Sequence, residues 1–322
     1  MGKRKLYLLA VCLLTAAVFS AGCMQKLTGS DDAPKIPEIS KELRLNEEGI
    51  PIIQVYNLKE ETHVNMDIES YVAGVLAGEM KNDWPEEALK AQAVLARTFV
   101  MKFLDTKTSK YDGADISTDI TEAQAYAEGL VNDRILKAVS DTRGMIVSYD
   151  GEIAHTWFHA HSGGVTELPK EGLEYKENPP YTKSVKGMES TAAPKEVIGW
   201  SIEFSDEEVL KALRDVGFQG EKIESIEIGE KGKSERAATL LVNGKSVPAA
   251  SFRIALGSDK LKSTLFTDIS KTETGVRFEG RGYGHGVGLS QWGAYAMAEN
   301  GKTYDEIIRY YFKDIDLVKL WN

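Results

Sequence analysis

The chain has 322 residues, 42% hydrophobic and 27% charged, with a formal net charge of -10, a globular composition with room for one large core or two small ones. The acidic balance excludes a nucleic-acid partner, which needs a basic face. Both cysteines, Cys12 and Cys23, fall in the first 23 residues, so the rest of the chain has no disulfide pair and no cysteine-held metal.

Lys3, Arg4 and Lys5 precede an uncharged run, Leu6 to Met24, that contains the small-residue stretch FSAGC. Residues 1–23 therefore read as a signal peptide or a membrane anchor. SAGC is similar to a bacterial lipobox, with Cys23 as the lipid attachment site, although Ser20 stands where that box usually has leucine. Lipid anchor, uncleaved helix and simple secretion all place the remainder outside the cytoplasmic membrane. Removing residues 1–23 takes away three positive charges and leaves -13.

Residues 24–47 are polar, charged and broken by two prolines, and read as a flexible tether. Residues 48–322 read as one domain. Its first strand candidates are IPIIQVYNL and THVNMDI, followed by a helix through YVAGVLAGEM. Ile68, Val72, Val75 and Glu79 fall at i, i+4, i+7 and i+11 of that helix, so Glu79 sits on the apolar stripe. A carboxyl withdrawn from water has a raised pKa and serves as a proton donor near neutral pH, whereas a frayed helix end would leave it solvated. Ala73, Gly74, Ala77 and Gly78 form a small-residue surface beside it, open to a second backbone or a ligand.

Trp84-Pro85 separates this helix from a second, EEALKAQAVLARTFVMKFL, with Pro85 suited to its first turn. Leu89, Ala93, Ala96, Val100 and Phe103 form its buried stripe, and Arg97 lies at the margin. Residues 145–160 read as strands ending in AHTWFHAH. On a strand His155, His159 and His161 share one face, which suits metal ligation or plain polar packing. Ser162 in HSGG lacks the context of a nucleophile elbow.

From about 195 to 275 the texture is that of a smaller α+β subdomain, with a capping box at Ser205 to Glu208, Gly217 as a helix stop and an Asn243-Gly244 hairpin. Nothing in it suggests chemistry. In GRGYGHGVGLSQWG glycine fills every even position from 280 to 288. An extended chain there would be bare on one face and show Arg281, Tyr283 and His285 on the other, beside the polar pair Ser290-Gln291. That arrangement suits sugar recognition or a turn, and the spacing does not make a dinucleotide loop. TYDEIIRYYF closes the chain as an amphipathic helix.

Three blocks, YVAGVLAGEM with WPEEALKAQAVLARTFV, WFHAHSGGVTE, and GRGYGHGVGLSQWGAYAMAENGKTYDEIIRYYF, resemble in order the SpoIID/LytB family. The resemblance implies a peptidoglycan lytic transglycosylase. Such an enzyme cleaves the β-1,4 bond between N-acetylmuramic acid and N-acetylglucosamine and leaves a 1,6-anhydro ring, on strands stripped of stem peptides by a SpoIIP-like amidase or endopeptidase, beside a membrane partner. Glu79 falls on the family's catalytic glutamate. Arg97 is expected to bind substrate or hold Glu79, and Gln124, His159, His161, Ser162, Tyr283, His285, Ser290 and Gln291 to contact substrate. Some relatives bind zinc through a cysteine and a histidine just before a glutamine. DISTDITEAQAY offers Ser117 and Glu122 there, with Gln124 retained, so no metal and no cofactor are expected.

The expected fold class is α+β, mixed helices and antiparallel strands around one cleft, with the smaller subdomain inserted. Two other readings remain open: a non-catalytic wall-binding module that enhances an amidase, and a zinc hydrolase built on His155, His159 and His161.

Overall fold

The computed structural model describes residues 34–38 and 43–322; the expected signal, Cys23 and much of the tether lie outside the described residues. The fold is α+β, with mostly antiparallel strands and helices interspersed rather than a repeating βαβ unit. β1 (Arg44–Leu45), β2 (Pro51–Asn57), β3 (Thr62–Asp67) and β4 (Ile116–Ser117) form one sheet, in which β1 and β3 run antiparallel to β2 and β4 runs parallel to it. Along β2 the side chains alternate, so Ile53 and Val55 enter the core.

β3 passes directly into α1 (Ile68–Glu79), where the Asp67 carboxylate caps the free Ser70 N–H at 2.9 Å. Pro85 is the N-cap of α2 (Glu86–Thr106), one position before the expected first turn. α2 has 21 residues, about 30 Å of helix, and is covered on two sides. Leu89, Ala93, Ala96 and Val100 pack in the core with α1 and β2. Ala88, Ala91, Val94 and Leu95 pack in a second core with Leu289, Ile307, Ile308 and Tyr311. Arg97 is consequently interior, with no exposed surface, rather than marginal.

Met145–Tyr149 pairs with Glu152–Ile153 and with Asp316–Lys319. Of AHTWFHAH only Phe158–His159 is strand, and it runs parallel to Leu289–Ser290. Residues 199–281 carry their own apolar cluster, including Phe204, Leu213, Phe252 and Phe278, between two three-stranded antiparallel sheets and the helices Asp206–Asp215 and Ala249–Leu256. There Ser205 and Glu208 cap each other's backbone, and Asn243 and Gly244 make the tight hairpin with φ of 50° and 76°.

Candidate active site

Glu79 is the last residue of α1 and is partly exposed. It lines a cleft of about 460 Å³ together with Gly78, Lys81, Asn82, Asp83 and Leu130. Leu130 also lines an adjoining depression of about 830 Å³ with Asn57, Lys59, Thr118, Tyr126 and Glu128, so the two meet at that residue. The Glu79 carboxyl accepts a hydrogen bond from Ala125 N–H at 2.8 Å and a longer one from Gln291 Nε2 at 3.4 Å. Burial raises its pKa to about 7, against the lowering effect of these two donors. Its place at the negative end of a helix works in the same direction as burial.

The small residues of α1 seat the chain's own backbone rather than a ligand. A Cβ on Gly78 would stand 2.7 Å from the Ala125 carbonyl carbon and the Tyr126 nitrogen, and one on Gly74 would stand 2.3 Å from the Tyr126 ring. Ala127 N–H donates to the Gly74 carbonyl at 2.9 Å. This close approach delivers the Ala125 N–H to Glu79. Gln124, one residue before, is buried with neither end of its amide hydrogen-bonded. Upstream, Glu122 accepts from Ser109 Oγ at 3.0 Å and Lys110 N–H at 2.6 Å, and Ser117 Oγ accepts from Asp119 N–H at 3.2 Å.

Gln291 reaches Glu79 because the WFHAHSGG and GRGYGHGVGLSQWG segments lie against each other. His161 and Tyr283 exchange backbone hydrogen bonds at 3.0 and 2.9 Å, and Trp292 N–H donates to the Ala160 carbonyl at 3.0 Å. The alternate glycines are not one bare face of an extended chain, as expected: Gly282, Gly284, Gly286 and Gly288 all have positive φ. Contact as well as conformation calls for glycine here, since a Cβ on Gly288 would lie 2.0 Å from the Trp157 carbonyl oxygen. Ser290 caps the helix Gln291–Glu299 by accepting from Gly293 N–H, which places Gln291 at the first turn.

Glu189, which the sequence did not single out, binds both segments. It accepts from Ser162 N–H at 2.7 Å, from the Ser162 hydroxyl, and from Ser290 Oγ at 3.0 Å, with His161 Nε2 at 3.8 Å. Arg236 comes from the 195–275 stretch, where no chemistry was expected, and donates to the Ser162 carbonyl at 2.7 Å and the Val165 carbonyl at 3.1 Å.

Several expected substrate contacts do not line the Glu79 cleft. Arg97 touches neither the cleft nor Glu79. Its guanidinium is held by Glu69 at 2.5 to 3.1 Å and by the Met145 carbonyl at 3.1 Å. Glu69 also accepts from Gly144 N–H and Trp321 Nε1, so the pair ties α1 and α2 to the chain's end. His159 is buried with Nδ1 3.1 Å from the Val287 carbonyl oxygen, and burial lowers its pKa well below the usual imidazole value. His285 lines a separate small pocket with Gly172, Ser251 and Arg253, and burial with the nearby Arg253 and Arg236 lowers its pKa to about 3. His161 and Ser162 are buried against Glu189. Tyr283 is half-buried under the Lys262 ammonium, 5.6 Å from the ring centre. His155, for its part, stacks on Trp157, so the three histidines have three different surroundings rather than one shared face.

Asn82, Asp83, Leu130, Ala125 and Tyr126 are the cleft's further residues that sequence reading missed. The Gly74 and Gly78 spacing was a signal that some backbone docks on α1, without saying which.

A family model described as stage II sporulation protein matches residues 56–149, and a domain model of unknown function matches residues 164–288. An uncharacterized protein of Brachyspira hyodysenteriae is 35% identical over 79% of this chain and 67% of its own length. Stage II sporulation protein D of Bacillus subtilis is 32% identical over 81% of this chain and 77% of its own. The amidase enhancer of the same organism is 28% identical over 74% of this chain and 39% of its own.

Proposed function

Because the chain belongs to the stage II sporulation protein D family, we propose that it works on the bacterial cell wall as a lytic transglycosylase, with Glu79 as its acid and base. The observation that carries this reading is the Glu79 carboxyl, lining a cleft with its pKa raised to about 7. Near neutral pH such a group is about half protonated, which suits a residue that must first give a proton and then take one.

The reaction needs no second carboxylate. Glu79 protonates the glycosidic oxygen as its bond to C1 of the muramic acid breaks, and the C6 hydroxyl of that sugar attacks C1. The Glu79 carboxylate then takes the C6 hydroxyl proton, leaving an anhydro ring. A water-using glycosidase requires two carboxyl groups flanking the bond. Glu189, the nearby carboxylate tied to Ser162 and Ser290, is occupied in holding two segments together. The meeting of two depressions at Leu130 suits a polymeric strand rather than a small molecule. Ala125 N–H and Gln291 position the carboxyl, and Tyr126, Asn82 and Asp83 line the strand's path.

This reading places the domain outside the cytoplasmic membrane, held there through residues 1–23, with peptide-stripped glycan strands as substrate and an amidase supplying them. The similarity to the amidase enhancer favours a second reading, a wall-binding module that stimulates such an amidase. Mass spectrometry of denuded strands separates the two: anhydro-ended products from the parent chain and none from Glu79→Gln support the enzyme. Products carrying an added water, or none from either protein, refute it.

A further inference from the structure

Among the described residues, a further depression of about 500 Å³ lies far from Glu79. Gln291 touches Glu79, and the next residue, Trp292, packs its ring 4.5 Å from that of Trp84, so Glu79 belongs to the N-terminal end of α2. Phe99, Lys102 and Lys107 line the new depression at the other end of the same helix, roughly 20 Å or more along its axis.

Its floor is a preassembled group of rings. Trp157 stacks on His155 with centroids 5.3 Å apart and planes 15° from parallel, and Tyr175 meets Trp157 edge-on at 5.2 Å. The Tyr175 hydroxyl lies 3.1 Å from His155 Nε2, which fixes the imidazole. Trp157 and Tyr175 are half-buried, and both line the depression. Around them stand Lys102, Lys107 and Lys176, a local reversal of sign on an acidic chain. Lys102, half-buried, is paired with Asp105 at 3.3 Å, and Lys176, at the surface, with Glu177 at 3.6 Å. Lys107 lies 5.6 Å over the Phe103 ring and forms no ion pair among the described residues. All three ammonium groups are close enough to help burial hold the His155 pKa below the ordinary imidazole value.

We propose that this depression is a second, non-catalytic saccharide site for a glycan strand bearing carboxylates, with Trp157 and Tyr175 against sugar rings and the three lysines on the acid groups. Flat apolar ring faces take the C–H face of a pyranose, and ammonium groups on flexible stems take carboxylates at variable spacing. A phosphate polyol would engage the lysines and leave the rings unused. An acidic peptide would engage the lysines but has no pyranose face to lay on the rings. The proposal rests on the cell-wall reading above, and it adds a second grip on the same polymer, whose linked contacts strengthen overall binding.

The test uses the full chain carrying Glu79→Gln, so that strands stay intact, and measures binding to denuded muramic-acid-containing strands and to the same strands with their carboxyls reduced to alcohols. Lys107→Glu with Lys176→Glu changes exposed side chains and is expected to weaken binding at least ten-fold at low salt. Carboxyl reduction of the strands should produce the same loss in the parent, and Trp157→Ala a loss that persists at high salt. Equal binding by the lysine variant and its parent overturns the site, as does displacement by polyglutamate or polyphosphate but not by glycan. Should the unmutated chain make no anhydro ends while the lysine-dependent binding persists, the reaction assigned to Glu79 fails and this site stands.

Discussion

Replacing Glu79 by glutamine tests the physical basis of the site independently of any substrate. The folded pKa of about 7 lies about 2.5 above the ordinary value of 4.5, so the folded protein holds a proton that the unfolded chain releases. The stabilising contribution of the protonated group is fully present below pH 4.5 and is lost as pH rises through 7. At about 1.4 kcal/mol for each pH unit, the ionised carboxylate costs the fold about 3 kcal/mol above pH 8. Glutamine imitates the protonated acid, keeps an oxygen for Ala125 N–H and cannot ionise. Urea unfolding of both proteins from pH 4 to 9 should show nearly parallel stability below pH 4.5 and a widening gap in favour of Glu79→Gln up to pH 8. A constant gap across that range would mean that Glu79 titrates as an ordinary solvated carboxylate, and the acid assigned to this cleft would be lost with it.

Gly78→Ala places a methyl group 2.7 Å from fixed backbone of residues 125 and 126, so the Ala125 N–H must leave Glu79. We expect a stability loss of about 1–3 kcal/mol by urea unfolding and a fall in kcat of ten-fold or more on denuded strands. Arg97→Ala leaves Glu69 without its buried partner and should cost about 3–5 kcal/mol, with KM unchanged in the folded fraction; a raised KM at full stability would restore Arg97 as a substrate contact. For His285 the folded pKa of about 3 lies below the ordinary 6.5, so its contribution to stability is present above pH 6.5 and is lost as pH falls toward 3. His285→Gln should therefore flatten the acid limb of the stability curve, measured by urea unfolding between pH 7 and 4.

Local pattern decided much of this protein. The period of Ile68, Val72, Val75 and Glu79 put a carboxyl on the inner stripe of α1, and the capping box at Ser205 and the Asn243-Gly244 turn need only neighbouring residues to form. These features are legible because helix period, cap and turn depend on residues within a few positions of one another. Contacts between distant segments carry no such period, and only the tertiary structure decided them. Arg97 looked marginal on a one-sided helix and proved interior because α2 packs on two faces, with Glu69 as its partner 28 residues away. The alternating glycines suggest a bare binding face; they are instead close-packed positions, where Gly282 and Gly288 meet another stretch of backbone and Gly286 meets the Arg236 guanidinium. Glu189 and Ala125, which hold the site's segments together and donate to its acid, gave no signal in sequence, because a lone glutamate and a backbone amide acquire their roles only from what folding brings against them.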